Sequence, residues 1–242
     1  MAEHLTEDEQ IQALKQWWKK NGLITVLLLA TFIVGYLGWQ FWQNYQQQQA
    51  EAAAAIYDDL LEAITVTPDK PLTEEKRTTA NYLIDQLKVD HSSSLYAINA
   101  AMYGAKIAVE ADELEKAVEL LQWALDNNDS SETEKVLRLR LARVMNALED
   151  YDQALNYSQY DAIDEFTPLF AAVRGDAYLG KGDISAAKAA YQLALDNVFP
   201  TQNQQQQLLK MKIADLSTGS IEAAQENRKS QESIIDNRGF SE

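Results

Sequence analysis

Residues Leu23 to Trp42, LITVLLLATFIVGYLGWQFW, form a run of 20 without a charge. As a helix rising about 1.5 Å per residue it spans roughly 30 Å, the thickness of the hydrocarbon core of a bilayer. Eleven of the 20 are Leu, Ile, Val or Phe. Each of these favours insertion by about 0.3–0.6 kcal/mol near a helix centre, which outweighs Thr25, Thr31 and Gln40. Gln40 also lies close to the far end, where a spanning helix is leaving hydrocarbon. Trp17 and Trp18 precede the run, and Tyr36, Trp39, Phe41, Trp42 and Tyr45 mark its end, the aromatic belts expected at headgroup level. A buried core helix of a soluble protein is the competing reading. It fits poorly, because the run is apolar on every face and carries both belts.

A cleaved signal peptide has an apolar stretch of about 7–15 residues followed closely by a small-residue cleavage site. Here the stretch is longer and ends in GWQFWQNY, and the first small-residue cluster, Ala50 to Ala55, comes late. Acylation as a lipoprotein needs a cysteine, and the chain has none. We therefore expect an anchor that is retained. Lys15, Lys19 and Lys20 precede the run, and no Lys or Arg follows it until Lys70. By the positive-inside rule residues 1–22 form a cytoplasmic tail, 23–42 a transmembrane helix, and the rest lies across the membrane. Glu3, Glu7, Asp8 and Glu9 count little in that rule. Thr6 to Glu9 fits a capping box for a short helix in the tail, with Ile11, Leu14 and Trp18 on one face.

Beyond Trp42, 18 basic and 33 acidic residues leave a charge of about −15. Such a surface repels nucleic acid and anionic lipid headgroups. The absence of cysteine removes disulfides, thiolate metal sites and cysteine nucleophiles. About 200 residues remain, enough for one ordinary domain.

That domain reads as all-α. Four prolines and nine glycines occur in the whole chain, apolar residues recur at helical spacing, and alternating β-branched runs are almost absent. Residues 168–200, PLFAAVRGDAYLGKGDISAAKAAYQLALDNVFP, then show a repeat unit. Gly175, Tyr178, Gly182, Ala187, Tyr191 and Ala194 match the small, aromatic, turn-glycine, small, aromatic, small order of a tetratricopeptide helix pair. Small residues let antiparallel backbones approach, the tyrosines fill space beside them, and Gly182 turns the chain. Pro200 stops the second helix. Weaker copies precede it: Ala142, Tyr151 and Ala154 in residues 135–167, and Ala105, Ala117, Leu121, Ala124 and Leu125 in 98–131. Ala117, Ala154 and Ala187 are spaced by 37 and then 33 residues, near the 34 of the repeat. Upstream, Gln46–Ile64 and Thr73–Val89 form an irregular helix pair joined by a TVTPDKP loop. Downstream, Asn203–Leu216 is a terminal helix with Asn203 as N-cap, whose Leu208, Leu209, Ile213 and Leu216 cover the last repeat. Residues 217–242 are polar and non-periodic, and we expect disorder there. The expected fold is thus a single N-terminal transmembrane helix followed by a tetratricopeptide-like helical solenoid over residues 43–216.

Material for catalysis is scarce. His4 lies in the tail and His91 in a loop, VDHSSS. Asp90, His91 and Ser92 adjoin in sequence, whereas a triad needs positioning in space. No zincin, phosphate-loop, nucleophile-elbow or EF-hand pattern occurs. Asp58/Asp59 and Asp112/Glu113 read as solvated helix ends. We expect no catalytic residue, metal or cofactor. Binding has more to work with. In such an array the first helix of each repeat lines the concave face. Those positions are Asn99, Met102, Lys106 and Val109, then Val136, Leu139, Arg143 and Asn146, then Leu169, Ala172, Asp176 and Leu179. The repeat register, good to a residue or two, leaves open that some of them are core.

The pattern ALKQWWKKNG, an apolar run, then GWQFWQNY resembles the YfgM family of bacterial inner-membrane proteins, ancillary subunits of the SecYEG translocon. So does the arrangement of one anchor followed by a tetratricopeptide-like domain of this size. The resemblance covers about residues 10–216. It implies a periplasmic domain that accompanies the translocon, works with the membrane-anchored periplasmic chaperone PpiD, and passes exported client proteins to periplasmic chaperones. It carries over no catalytic residue. Without it, a membrane-anchored envelope scaffold for cell-division or cell-wall machinery would fit the residues as well.

Overall fold

The computed structural model describes residues 7–65, 73–199 and 201–217. The proposed capping residue Thr6, most of the TVTPDKP loop, Pro200 and the tail from 218 onward lie outside the described residues. Every described element is helical: α1 Glu7–Ile64, α2 Glu74–Asp90, α3 Leu95–Glu110, α4 Leu114–Asp126, α5 Ser131–Ala147, α6 Tyr151–Tyr157, α7 Thr167–Gly180 and α8 Ile184–Asn197, with α9 over residues 203–217. The chain divides into two compact units, Met1–Ala55 and Ile56–Glu242.

The first unit holds α1 as far as Ala55, and the helix itself runs unbroken to Ile64, its last turns counted with the second unit. The expected separate helices at the tail and at Gln46–Ile64 are therefore parts of one. The glycines between them, Gly22, Gly35 and Gly38, are of a kind that apolar spanning helices tolerate. No proline precedes Pro68, and the stretch from Gln46 to Ala55 is made of Gln, Ala and Glu, all strong helix formers. Leu23, Phe32, Val34 and Phe41 are 77, 74, 69 and 75% exposed. Within its own unit the described apolar run is uncovered, unlike a buried core helix. It is the one described helix long and apolar enough to cross a membrane.

In the second unit, side-chain caps set the helix starts. Thr73, Ser94, Ser130, Asp150 and Asp183 each accept from the backbone N–H three residues on, at 2.9–3.3 Å. Each satisfies a donor that the first helical turn leaves orphaned. The hairpins α3/α4, α5/α6 and α7/α8 share one turn geometry. Asp112, Glu149 and Gly182 have φ of 62, 61 and 78°. The next residue donates back across each turn: Glu113 to Ala108, Asp150 to Met145 and Asp183 to Tyr178, at 2.8–2.9 Å. This is the Schellman closure of a helix end. The three turns are spaced like Ala117, Ala154 and Ala187, so the period in the alanines is also a period in the backbone. Only the third copy uses glycine for the left-handed residue, which is why its signal is the clearest.

Alanine builds the contacts. Ala97, Ala101, Ala105, Ala117, Ala124, Ala142, Ala154, Ala187 and Ala194 are all buried, so neighbouring helices approach closely. In the last repeat a Cβ on Gly175 would stand 2.4 Å from the Tyr191 ring. Tyr191 is wholly buried, and its hydroxyl donates to Asp176 at 2.6 Å. Burial first, and then this carboxylate, push its phenol well above the ordinary tyrosine range, so the hydroxyl stays a donor. Gly180 makes the same accommodation for Tyr151, whose ring would be 2.2 Å from an added Cβ. At the far end, Leu209, Leu216 and Ile213 of α9 pack with Ala187, Tyr191 and Ala194. Leu208 does not join them and is 53% exposed. The helix begins at residue 203, so Asn203 opens it rather than capping it.

Candidate partner-binding cleft

Of the expected concave residues, Met102, Lys106 and Val109 of α3 and Arg143 of α5 come together around one cleft of about 380 Å³. Met102, Ala105, Val109, Leu121 and Val144 supply its apolar surface, and Lys106, Glu110, Arg140 and Arg143 its charged groups. Positions 102, 105, 106 and 109 share one side of α3 by the three-and-four spacing of a helix, as 140, 143 and 144 do on α5. Leu121 reaches the cleft from α4.

The other expected positions are placed differently. Leu139 is 5% exposed and belongs to a core cluster with Ala142, Phe170 and Val173, against which Leu169 packs. Asn146 donates its amide to the Val173 carbonyl at 3.1 Å, and its buried Oδ1 has no hydrogen-bond partner among the described residues. Asp176 accepts from Tyr191 and from Lys212 of α9, so it is a strut of the last repeat. Ala172 packs beside that same repeat's core. Asn99 and Val136 are half-buried outside the cleft lining, and Leu179 is exposed near the end of α7. On α5 the open face runs through 140, 143 and 144, one residue on from the register that groups Leu139 with Arg143. Sequence reasoning missed Arg140 for this reason. The signal that could have found it is the unusual spacing of three arginines, 138, 140 and 143, in a chain of net charge −16.

Charge within the cleft is uneven. Lys106 pairs with Glu110 on its own helix at 3.7 Å, an exposed pair. Arg143 is exposed as a residue, yet its guanidinium is crowded. That desolvation, and secondarily the Arg140 charge, pull it below the ordinary arginine range, while Asp176 partly offsets them. Arginine remains protonated at any physiological pH. Glu113, expected to be a solvated helix end, instead pairs with Arg77 of α2 at 2.8 Å.

The comparisons with known proteins agree with this architecture. Residues 15–218 match the family model described as a tetratricopeptide repeat-like domain. A protein of Haemophilus influenzae is 30% identical over 216 residues, covering 89% of this chain and 100% of the relative. One of Escherichia coli is 28% identical over 213 residues, 87% of this chain and 97% of the relative. One of Neisseria gonorrhoeae is 27% identical over 216 residues, 89% and 100%. Each of the three is named an ancillary SecYEG translocon subunit. With a full-length relative at this identity and a family model matched over most of its length, the chain belongs to the YfgM family, a tetratricopeptide repeat-like family that includes these relatives.

Proposed function

We propose that this chain is a non-enzymatic, single-pass adaptor of the bacterial inner membrane that accompanies the SecYEG translocon. In this reading residues 1–22 are cytoplasmic, 23–42 span the membrane, and the domain over 43–216 lies in the periplasm. There it helps pass exported proteins to periplasmic chaperones, PpiD among them. The observation that carries the reading is likeness along nearly the whole length to proteins named as translocon subunits. Two features of the chain support it. An uncovered apolar helix with lysines only on its N-terminal side suits the anchor and its orientation. An open, largely apolar cleft on the first repeats suits a polypeptide partner.

A membrane-impermeant crosslinker tests both halves at once. Applied to intact cells with a permeable outer membrane, it should join the domain to translocon subunits and to a periplasmic chaperone. Adducts that form only after the inner membrane is broken would reverse the topology. Adducts confined to cell-wall or division proteins would replace the translocon reading with the scaffold one.

A further inference from the structure

Three arginines lie on α5, and they are used in two different ways. Arg138 is structural: it donates to the carbonyls of Tyr157 at 3.3 Å and Gln159 at 2.6 Å, and it pairs with Glu134 at 3.7 Å. Arg140 and Arg143 both line the cleft, and neither makes an ion pair or hydrogen bond among the described residues. Three residues apart, they share a helix face, so two like charges stand side by side. The acids nearby make their closest contacts with other cations. Glu110, the one carboxylate lining the cleft, is held by Lys106 at 3.7 Å. Asp176 is held by Lys212 and by the Tyr191 hydroxyl.

The chain carries 37 acidic and 21 basic residues, so a cluster of positive charge stands out by its sign. Two adjacent guanidiniums with no ion pair, Arg143 being only partly offset by Asp176, leave a local excess of positive charge beside an apolar floor of Met102, Val109, Leu121 and Val144. Guanidinium forks match carboxylate geometry with paired donors. We propose that the cleft takes a short acidic–apolar segment of another polypeptide, with its carboxylate held across Arg140 and Arg143 and its neighbouring apolar side chain seated on the floor. A volume of about 380 Å³ is at the small end of ligand pockets and suits a few side chains rather than a long stretch. An extended polyanion fits less well, since its further phosphates would meet the negative charge of the rest of the domain. The proposal rests on reading this cleft as a polypeptide site. It names the chemistry of the occupant, which the family likeness leaves open.

The test uses the full chain in nanodiscs of zwitterionic lipid, with no translocon present, so its outcome is independent of whether the protein sits at SecYEG. The probe is a short fluorescein-labelled peptide with a Leu-Asp-Leu core, followed by anisotropy. The Leu-Asn-Leu version should bind about tenfold more weakly, because it forfeits charge-assisted bonds, and added salt should narrow the gap. Arg140→Gln with Arg143→Gln should lower Leu-Asp-Leu affinity to the same degree, with exchange protection of α3–α5 amides unchanged. Arg140→Glu with Arg143→Glu should come to prefer a Leu-Lys-Leu core. Equal binding of the Asp and Asn peptides by the natural chain would overturn the proposal, whatever the variants do. An Asp236→Asn chain that binds the probe tenfold tighter would also overturn it, since the occupant would then be the chain's own Ile234–Ile235–Asp236.

Discussion

Phe170→Ala should cost the domain about 3–5 kcal/mol, the range for removing a large buried ring. Phe170 is wholly buried, clusters with Leu139, Ala142 and Val173, and stacks on Tyr160 at 4.5 Å between ring centroids. It therefore joins α5, α7 and the segment between α6 and α7. That segment packs the apolar side chains of Tyr160 and Phe166 on this cluster. Its order comes from Asp164, which accepts from the Phe166 N–H at 2.8 Å and from the Tyr160 hydroxyl and pairs with Lys135 at 3.4 Å, and from Thr167, which donates to the Ala162 carbonyl at 2.9 Å. For a domain of this size the loss should lower the melting temperature by roughly 6–20 °C. Because α1 in lipid would keep its helical signal, the readout is hydrogen exchange of α5–α7 amides in the full chain. Phe170→Leu should cost much less, under about 1.5 kcal/mol if the site repacks. A loss below about 1 kcal/mol for Phe170→Ala would mean that the second and third repeats are not joined through this ring.

Gly175→Ala should be among the most damaging single-methyl changes in the domain. The added carbon would stand 2.4 Å from the Tyr191 ring. That ring cannot retreat easily, being wholly buried with its hydroxyl held by Asp176. Overpacking of this kind costs about 1–3 kcal/mol and occasionally more. Ala187→Leu tests the same core from α8, since Ala187 is also wholly buried beside Tyr191. Gly104→Ala is the useful contrast. Its new carbon would meet only the side-chain ends of Ile84 and Leu120 at 3.1 Å, which can give way. Gly38→Ala, with nothing within 4 Å, should leave the fold unaltered. Equal melting of the Gly175→Ala and Gly38→Ala chains would refute the close helix contact.

The third repeat was legible because its special positions use residues that advertise themselves. Gly175 and Gly182 are glycines where a close approach and a left-handed turn require them. The earlier copies meet the same backbone demands with Asp112 and Glu149, which carry no glycine signal, so their period shows only through alanines. The cleft was legible in part. Met102, Lys106, Val109 and Arg143 follow from helix periodicity once α3 and α5 are recognised. Arg140 was not, because periodicity gives a face only to within a residue, and packing against Phe170 and Val173 decides that Leu139 turns inward and Arg140 outward. The unbroken length of α1 was hidden by the change from apolar to Gln- and Ala-rich sequence near residue 46. A change of surroundings looks like a boundary, although nothing in it stops a helix.

If the open cleft of this domain meets polypeptide at the translocon, crosslinks from the cleft should depend on its charge. A photo-crosslinking amino acid placed at Val109, in the cleft lining, and separately at Ile163, 87% exposed and outside it, tests this in living cells. Adducts are expected from position 109 with translocon subunits, periplasmic chaperones or exported chains. Those adducts should fall several-fold when Lys106→Glu and Arg143→Glu are introduced into a chain that still folds. Adducts of equal yield from both positions, unchanged by the charge reversal, would contradict a role for the cleft and move recruitment to α1 or the N-terminal tail.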